Sequence, residues 1–334
     1  MEFIADTAAS KCRAALPLLD VTGHSPSATV VVMACTVAVL SSMGEVCGAL
    51  GGARRIDLQA YTVFGPALRA VEAAARRGAE VTVHLEGQPF YNRHLAKENR
   101  NIAAQLRAAG ATVTLGHPLH AKALTVDGTL YLDEKNWRPG DLVLRVDDPA
   151  EAATIPMIKH EALASEGQLI GSASGADRVI VESESFGCCN KVYSELRQAA
   201  LAGAAPRLLV SSRELSGNVR EREVVEALVR DGVTVRVCDD SEKLAVAGDA
   251  AWLGSANATI AAPGTDGTDW GLDTRKATIV AAVRSRLETQ WENARAFKAP
   301  QIANRLSALA SVAAATSSSD STSSSASLPA VCVK

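Results

Sequence analysis

The second half of this 334-residue chain has no histidine: all six (His24, His84, His94, His117, His120 and His160) lie before residue 161. Chemistry that depends on an imidazole near neutral pH must draw it from the first half. Basic excess is missing as well. Thirty-four Lys and Arg stand against 37 Asp and Glu, a formal net charge of −3, which excludes the broad positive footprint of a non-specific nucleic-acid binder while leaving room for a local basic groove. The seven cysteines (Cys12, Cys35, Cys47, Cys188, Cys189, Cys238, Cys332) fall at spacings that fit neither a zinc site nor a disulfide framework. They read as free thiols in a reducing compartment. The apolar run Ala28 to Leu40 is 13 residues long, short of the roughly 20 a membrane span needs, and reads as a buried strand entering a helix. Met1 to Thr7 carries Glu2 and Asp6 but no Lys or Arg, against a signal peptide. The expected location is cytoplasmic, at most peripheral to a membrane, with no transmembrane span.

Apolar residues make up 47% of the chain, enough for one large core or two modest ones. The pattern along it is written twice. Arg55 to Gly65 alternates like a strand, Pro66 to Gly78 reads as a helix with Pro in its first turn, and Glu80 to Leu85 is a second strand. Ile102 to Gly110 is a helix, Thr112 to Leu115 a strand, and Lys122 to Val126 with Thr129 to Leu132 a hairpin turning at Asp127-Gly128. The series restarts at Arg178, whose strand ends in the same Phe-Gly. Asn190 to Gly203, Arg207 to Ser212, Glu223 to Gly232, Val233 to Val237, and the hairpin Leu244 to Val246 with Ala250 to Leu253 follow in the same order. From Lys122/Lys243 through Asn136/Asn257 the offset is a constant 121 residues. Strands alternating with helices in two copies argue for an α/β layered fold. The expected organisation is an N-terminal extension (1–35), a first unit (36–150), a second unit (151–298), and a helix with a Ser-rich disordered tail (299–334). Ile158 to Ile170 is expected to be helical where the units join.

The chemistry concentrates at His120-Ala-Lys122. Alternate residues of a strand share a face, so an imidazole and an ammonium point together, an arrangement suited to a phosphate: the ammonium holds its oxygens while the imidazole attacks phosphorus. Asp127 lies at the hairpin turn, where a carboxylate can cap backbone N–H groups, and Asn136 follows the returning strand as an amide donor. The second copy offers Ser241 and Lys243 on one face, then Gly254-Ser255-Ala256-Asn257.

This His-x-Lys-x4-Asp pattern with a downstream Gly-Ser-x-Asn resembles the phospholipase D superfamily over roughly residues 36 to 298. The resemblance implies two βα units packed as a pseudo-dimer, mixed sheets flanked by helices, and a site between them. It implies a catalytic set of His120, Lys122, Asp127 and Asp141 with a phosphohistidine at His120, a phosphate clamp of Lys122, Lys243, Asn136, Ser255 and Asn257, and orienting acids at Asp141 and Asp269. It implies no metal and no cofactor. The substrate would be a phosphodiester or phospholipid, nucleic acid being less favoured by the acidic balance, and the pseudo-dimer would be one monomeric chain. Hydrolysis and phosphatidyl transfer both stay open.

The pattern is broken in the second copy. Ser241 stands where a second histidine, the leaving group's acid, belongs, and Gly248 replaces the second aspartate. The first copy reads Asp133-Glu134-Lys135-Asn136 in place of Gly-Ser-x-Asn. His117 and Asp239 are the candidate substitute acids. Glu182 and Glu184 either line the cleft or are solvated strand-end carboxylates. His117-x-x-His120 lacks a carboxylate or thiol at ligand spacing and does not make a zinc site. Trp137, Trp252 and Trp270 are expected to pack around the hairpins. The competing expectation to an enzyme is a catalytically impaired pseudoenzyme that binds a phosphate or phospholipid headgroup.

Overall fold

Each half of the chain builds the same run of six strands in the same spatial order. The computed structural model describes residues 39–89, 92–173, 178–260 and 267–298, all within one compact unit, 36–334. The expected N-terminal extension, most of the Ala28 to Leu40 run and the Ser-rich tail lie outside the described residues.

The first half runs β1 (Val39–Ser41), α1 (Met43–Gly52), β2 (Arg55–Ala60), α2 (Gly65–Arg76), β3 (Glu80–Glu86), α3 (Arg93–Ala108), β4 (Thr112–Gly116), β5 (Lys122–Val126), β6 (Thr129–Asp133) and β7 (Val143–Val146). Two helices, α4 (Pro149–Ala152) and α5 (Lys159–Gly171), lead to the second half. That half runs β8 (Val179–Ser183), α6 (Lys191–Leu201), β9 (Arg207–Ser211), α7 (Ser212–Gly217), α8 (Val219–Arg230), β10 (Thr234–Cys238), β11 (Leu244–Ala247), β12 (Ala250–Gly254), β13 (Gly271–Thr274), α9 (Ala277–Asn293) and β14 (Arg295–Ala296).

The sheets are ordered β1-β7-β6-β5-β2-β3-β4 and β13-β12-β11-β8-β9-β10-β14. Without the edge strands β1 and β14 the two are superposable as lists. In each, the strands joined by helices pair in parallel and the hairpin strands pair antiparallel. The architecture is therefore mixed α/β in two similar sheets. One face of the first sheet packs on α1 to α3 through Ile56, Leu58, Val71, Val83 and Leu106. The second sheet does the same through Val181, Leu196, Leu208 and Val225. A third cluster joins the remaining faces of both sheets and α9, with Leu132, Leu144, Ile180, Leu244, Leu253 and Trp270 at its centre. Strands β8, β11 and β12 are consequently buried along their whole length, and apart from Glu182 and Ser183 at the end of β8 they are apolar because both faces are covered.

Several boundaries differ from the sequence expectation. The strand expected over Arg55 to Gly65 ends at Ala60, because Tyr61 leaves the sheet and Gly65 already opens α2 with a φ of +57°. Helix α3 begins at Arg93, not Ile102; its first two turns are polar and carry no apolar stripe, but Asn92 accepts a hydrogen bond from the Leu95 amide at 3.0 Å and starts the helix there. Trp137, Trp252 and Trp270 are all buried beside the hairpins.

Candidate functional site

His120 lies two residues before β5, and the backbone fixes what it faces. Leu119 forms a β-bridge with Thr268, and the His120 amide donates to the Thr268 carbonyl at 3.2 Å. The chain before His120 is thus stitched to the chain before Asp269, although 149 positions separate the two residues. Glu86, at the end of β3, holds the same approach: its carboxylate accepts from the Leu119 amide at 2.6 Å and pairs with His117 Nδ1 at 2.9 Å.

The imidazole Nδ1 is 2.6 Å from Asp269 Oδ1. A carboxylate only accepts, so Nδ1 carries the proton and Nε2 keeps its lone pair. The ammonium of Lys122 is 3.1 Å from Nε2, and the Tyr61 ring meets the imidazole edge-on with centroids 5.0 Å apart. Asp269 is itself fixed by the Ser255 hydroxyl, which donates to Oδ1 at 2.8 Å while accepting from the Trp270 amide at 3.1 Å. From the second half Lys243 projects to the same place, and its Nζ is 3.0 Å from Glu184 Oε2. Lys122 and Lys243 lie near enough for their charges to act on one another and on His120.

Burial dominates the electrostatics. It lowers the His120 imidazole below its ordinary value, with Lys122 and Lys243 acting in the same direction and Asp269 opposing them. The side chain is neutral near pH 7. Burial also pulls the Lys122 ammonium down to about 8. For Lys243 burial is outweighed by Glu184 and Glu134, and the ammonium sits above its usual range. Asp269 is buried too, but His120 and Lys122 more than offset that and keep it ionised. The site holds a neutral imidazole and two buried cations, an arrangement suited to an anion.

Several expected site residues are elsewhere. Asp127 is not in the site: it lies in the turn just beyond the far end of β5, about 16 Å from Lys122 at roughly 3.3 Å per residue, where its carboxylate accepts from the amides of Arg54 and Arg55 at 3.1 and 2.8 Å. Asp141 does not touch His120. Its carboxylate accepts from the amides of Arg138 (2.7 Å) and Asn136 (3.3 Å); with serine at 241 there is no imidazole for it to hold, and it caps its own loop. Ser255 is wholly buried and its hydroxyl is spent on Asp269, so it supports the orienting acid and does not reach a phosphate. Asp239 is exposed and paired with Ser212 at 2.6 Å and Arg295 at 3.0 Å, which hold its carboxyl below the usual range. His117 is half exposed and turned to Glu86. Asn136 has a buried carbonyl oxygen without a partner among the described residues, and the Asn257 carbonyl oxygen accepts weakly from the Ser185 amide at 3.4 Å. Glu182 is buried and accepts from the Glu242 amide at 2.9 Å, whereas Glu184 faces the site.

Sequence reasoning passed over Tyr61, Glu86 and Thr268. Only Glu86 left a mark: it is a buried carboxylate at the end of the alternating strand Glu80–Glu86. Among the described residues no group of three or more His, Cys, Asp or Glu is disposed to hold a metal ion, and no helix is long and apolar enough to cross a membrane.

No protein-family model and no curated protein sequence matches the chain. Solved structures do. The polyphosphate kinase of Porphyromonas gingivalis aligns with a TM-score of 0.53 at 15% identity, covering 79% of this chain and 52% of that one. The chain thus spans about half the length of that enzyme. The phosphatidylserine synthase of Haemophilus influenzae Rd KW20 aligns with a TM-score of 0.53 at 10% identity, covering 84% of this chain and 93% of that one. At such identities the likeness is one of fold.

Proposed function

The chain carries the two-unit fold of the phospholipase D superfamily, and on that premise we propose that it transfers a phosphoryl or phosphatidyl group from a phosphodiester through a phosphohistidine at His120. The observation that carries this reading is the imidazole itself: Nδ1 tied to Asp269 at 2.6 Å, the Lys122 ammonium 3.1 Å from Nε2, and a second buried lysine, Lys243, whose charge acts on the ring.

Each residue has a part. Asp269 fixes the tautomer and stabilises the positive charge that develops on the ring as Nε2 attacks. Lys122 and Lys243 hold the non-bridging oxygens and the charge that gathers on them in the transition state. The Asn257 amide contributes a further donor from the second half. Water or an alcohol then attacks the phosphohistidine, giving hydrolysis or transfer. A diester, phospholipid included, is the substrate class that two such displacements at phosphorus serve. The phosphatidylserine synthase named above favours a lipid, and the polyphosphate kinase a phosphoanhydride.

The test is turnover of bis(p-nitrophenyl) phosphate. The unaltered protein is expected to release p-nitrophenolate and to accumulate an acid-labile, alkali-stable phosphoramidate; His120→Ala is expected to do neither. One observation favours a second reading, a pseudoenzyme that only binds a phosphate or phospholipid headgroup: Ser241 stands in place of a second imidazole. Absence of turnover with phosphate-ester binding intact would establish that reading instead.

A further inference from the structure

The two halves differ at one further place in the site, and the sheet register identifies it. In the first half Lys122 pairs with Ala60, and the next residue, Tyr61, leaves β2 to stand against His120. In the second half Leu244 pairs with Glu182. Continuing that register sets Ser183 opposite Lys243, and the next residue is Glu184. Tyr61 and Glu184 are therefore equivalent positions, each beside its own lysine: Lys122 Nζ lies 5.7 Å from the Tyr61 ring, and Lys243 Nζ 3.0 Å from Glu184. The second half has serine at 241, where the repeat sets it against His120, and a carboxylate at 184 beside Lys243.

We propose that Glu184 performs the proton transfers that a histidine at 241 would otherwise perform, as general acid for the departing alcohol and general base for the incoming water. This rests on the phosphohistidine reading above. In-line displacement requires the acid to stand across phosphorus from the nucleophile. Lys122, 3.1 Å from Nε2, is on the nucleophile's side. Asp269 is committed to Nδ1, and burial pushes the Tyr61 hydroxyl up to about 12, too weak an acid. Glu184 comes from the opposite half, and its side chain is 48% exposed, so it exchanges protons with solvent.

The groups that act on Glu184 are Lys243, Lys122, His120 and Glu221. In the free protein the Lys243 ammonium outweighs burial and holds the carboxyl down to about 2. A bound diester shares both ammoniums and adds negative charge beside Glu184; each change raises the carboxyl's proton affinity. In the first step the Nε2–P bond forms, the P–O bond to the alcohol breaks, and Glu184 gives its proton to the leaving oxygen. In the second, water oxygen attacks phosphorus as Glu184 takes its proton, the N–P bond breaks with the pair returning to Nε2, and the monoester departs with Glu184 protonated again.

Burst kinetics with bis(p-nitrophenyl) phosphate separate the steps, because p-nitrophenolate leaves without an acid whereas water still needs a base. Glu184→Gln is expected to show a rapid first release of about one equivalent and then a steady state slowed about 10²–10⁴-fold, with Glu184→Asp recovering part of the loss. A burst slowed as much as the steady state would reduce Glu184 to a group that positions Lys243, and an unchanged steady state would remove it altogether; either overturns the proposal and leaves His120 standing. A burst that survives in His120→Ala, or an unaltered protein with no turnover and no phosphoenzyme, overturns the phosphohistidine reading and this one with it.

Discussion

At the residue scale, Asp269 decides which nitrogen of His120 carries the proton and so, in the proposed reaction, which one attacks. Asp269→Asn presents an amide whose N–H favours the other tautomer, and kcat for diester turnover is expected to fall about 10²–10⁴-fold with little change in substrate affinity. The depressed Lys122 sets the alkaline side of the pH profile. An ammonium lowered to about 8 is charged below that pH and neutral above it, so kcat/KM, which reports free-enzyme groups, is expected to decline as pH rises through about 8. The acid side should lie below the ordinary imidazole range, since His120 is depressed as well. Titration of Lys122→Met should lack the alkaline limb. Gly254 answers to geometry instead of charge. A Cβ there would sit 2.5 Å from the Trp270 carbonyl oxygen and 2.6 Å from the Trp252 ring, so Gly254→Ala is expected to cost about 1–3 kcal/mol, visible in urea unfolding. The glycine of Gly-Ser-x-Asn is there because two tryptophans leave no room for more.

At the element scale, the β5–β6 hairpin separates a structural aspartate from a chemical one. Asp127, at φ +49° in the turn, caps two amides at the entrance of β2. Asp127→Ala is expected to lose about 1–3 kcal/mol of stability while the folded fraction keeps its turnover; a matched urea titration and rate assay would show the split. The elements themselves were largely legible because their burial follows their period. Strand β2 alternates exposed and buried, and α2 buries Ala67, Val71, Ala74 and Ala75 on one stripe. Legibility failed where an element lacks a stripe. Helix α3 starts on a cap and a polar stretch; α9, by contrast, buries a stripe at helical spacing, Ile279, Val283, Leu287 and Trp291, against the inner faces of both sheets. The spacing of the repeat located His120, Lys122 and Lys243. It could not show that Asp141 and Asp269 have different fates, because that depends on which carboxylate crosses to which half and on whether an imidazole is there to receive it.

At the scale of the whole molecule, carboxyls buried around the junction of the two halves govern the response to pH. Burial pushes Asp133 and Glu182 up to about 8, Glu221 up to about 7, and Glu134 well above its usual range. Between the ordinary carboxylate range and those values the folded chain holds more protons than the unfolded one. Their contribution to stability is therefore intact below about pH 4 and is lost as pH rises toward 8. His120, depressed in the folded state, works in the opposite direction as a single group. Thermal unfolding is expected several degrees higher at pH 5.5 than at pH 8, and Asp133→Asn with Glu182→Gln should flatten the slope; a midpoint that climbs toward pH 8 would contradict the assignment.

The solitary imidazole has a consequence for how a ligand can lie. A cleft with matching halves accepts a diester in either sense, since either wall can attack. In the proposed reaction only one wall attacks, so the two ester oxygens of a bound molecule are no longer interchangeable: the one that leaves lies across phosphorus from His120, toward the second half, and the other stays. An unsymmetrical diester should therefore be cut at one bond with fixed polarity, and the bond chosen would read out which of its arms the cleft prefers on each side.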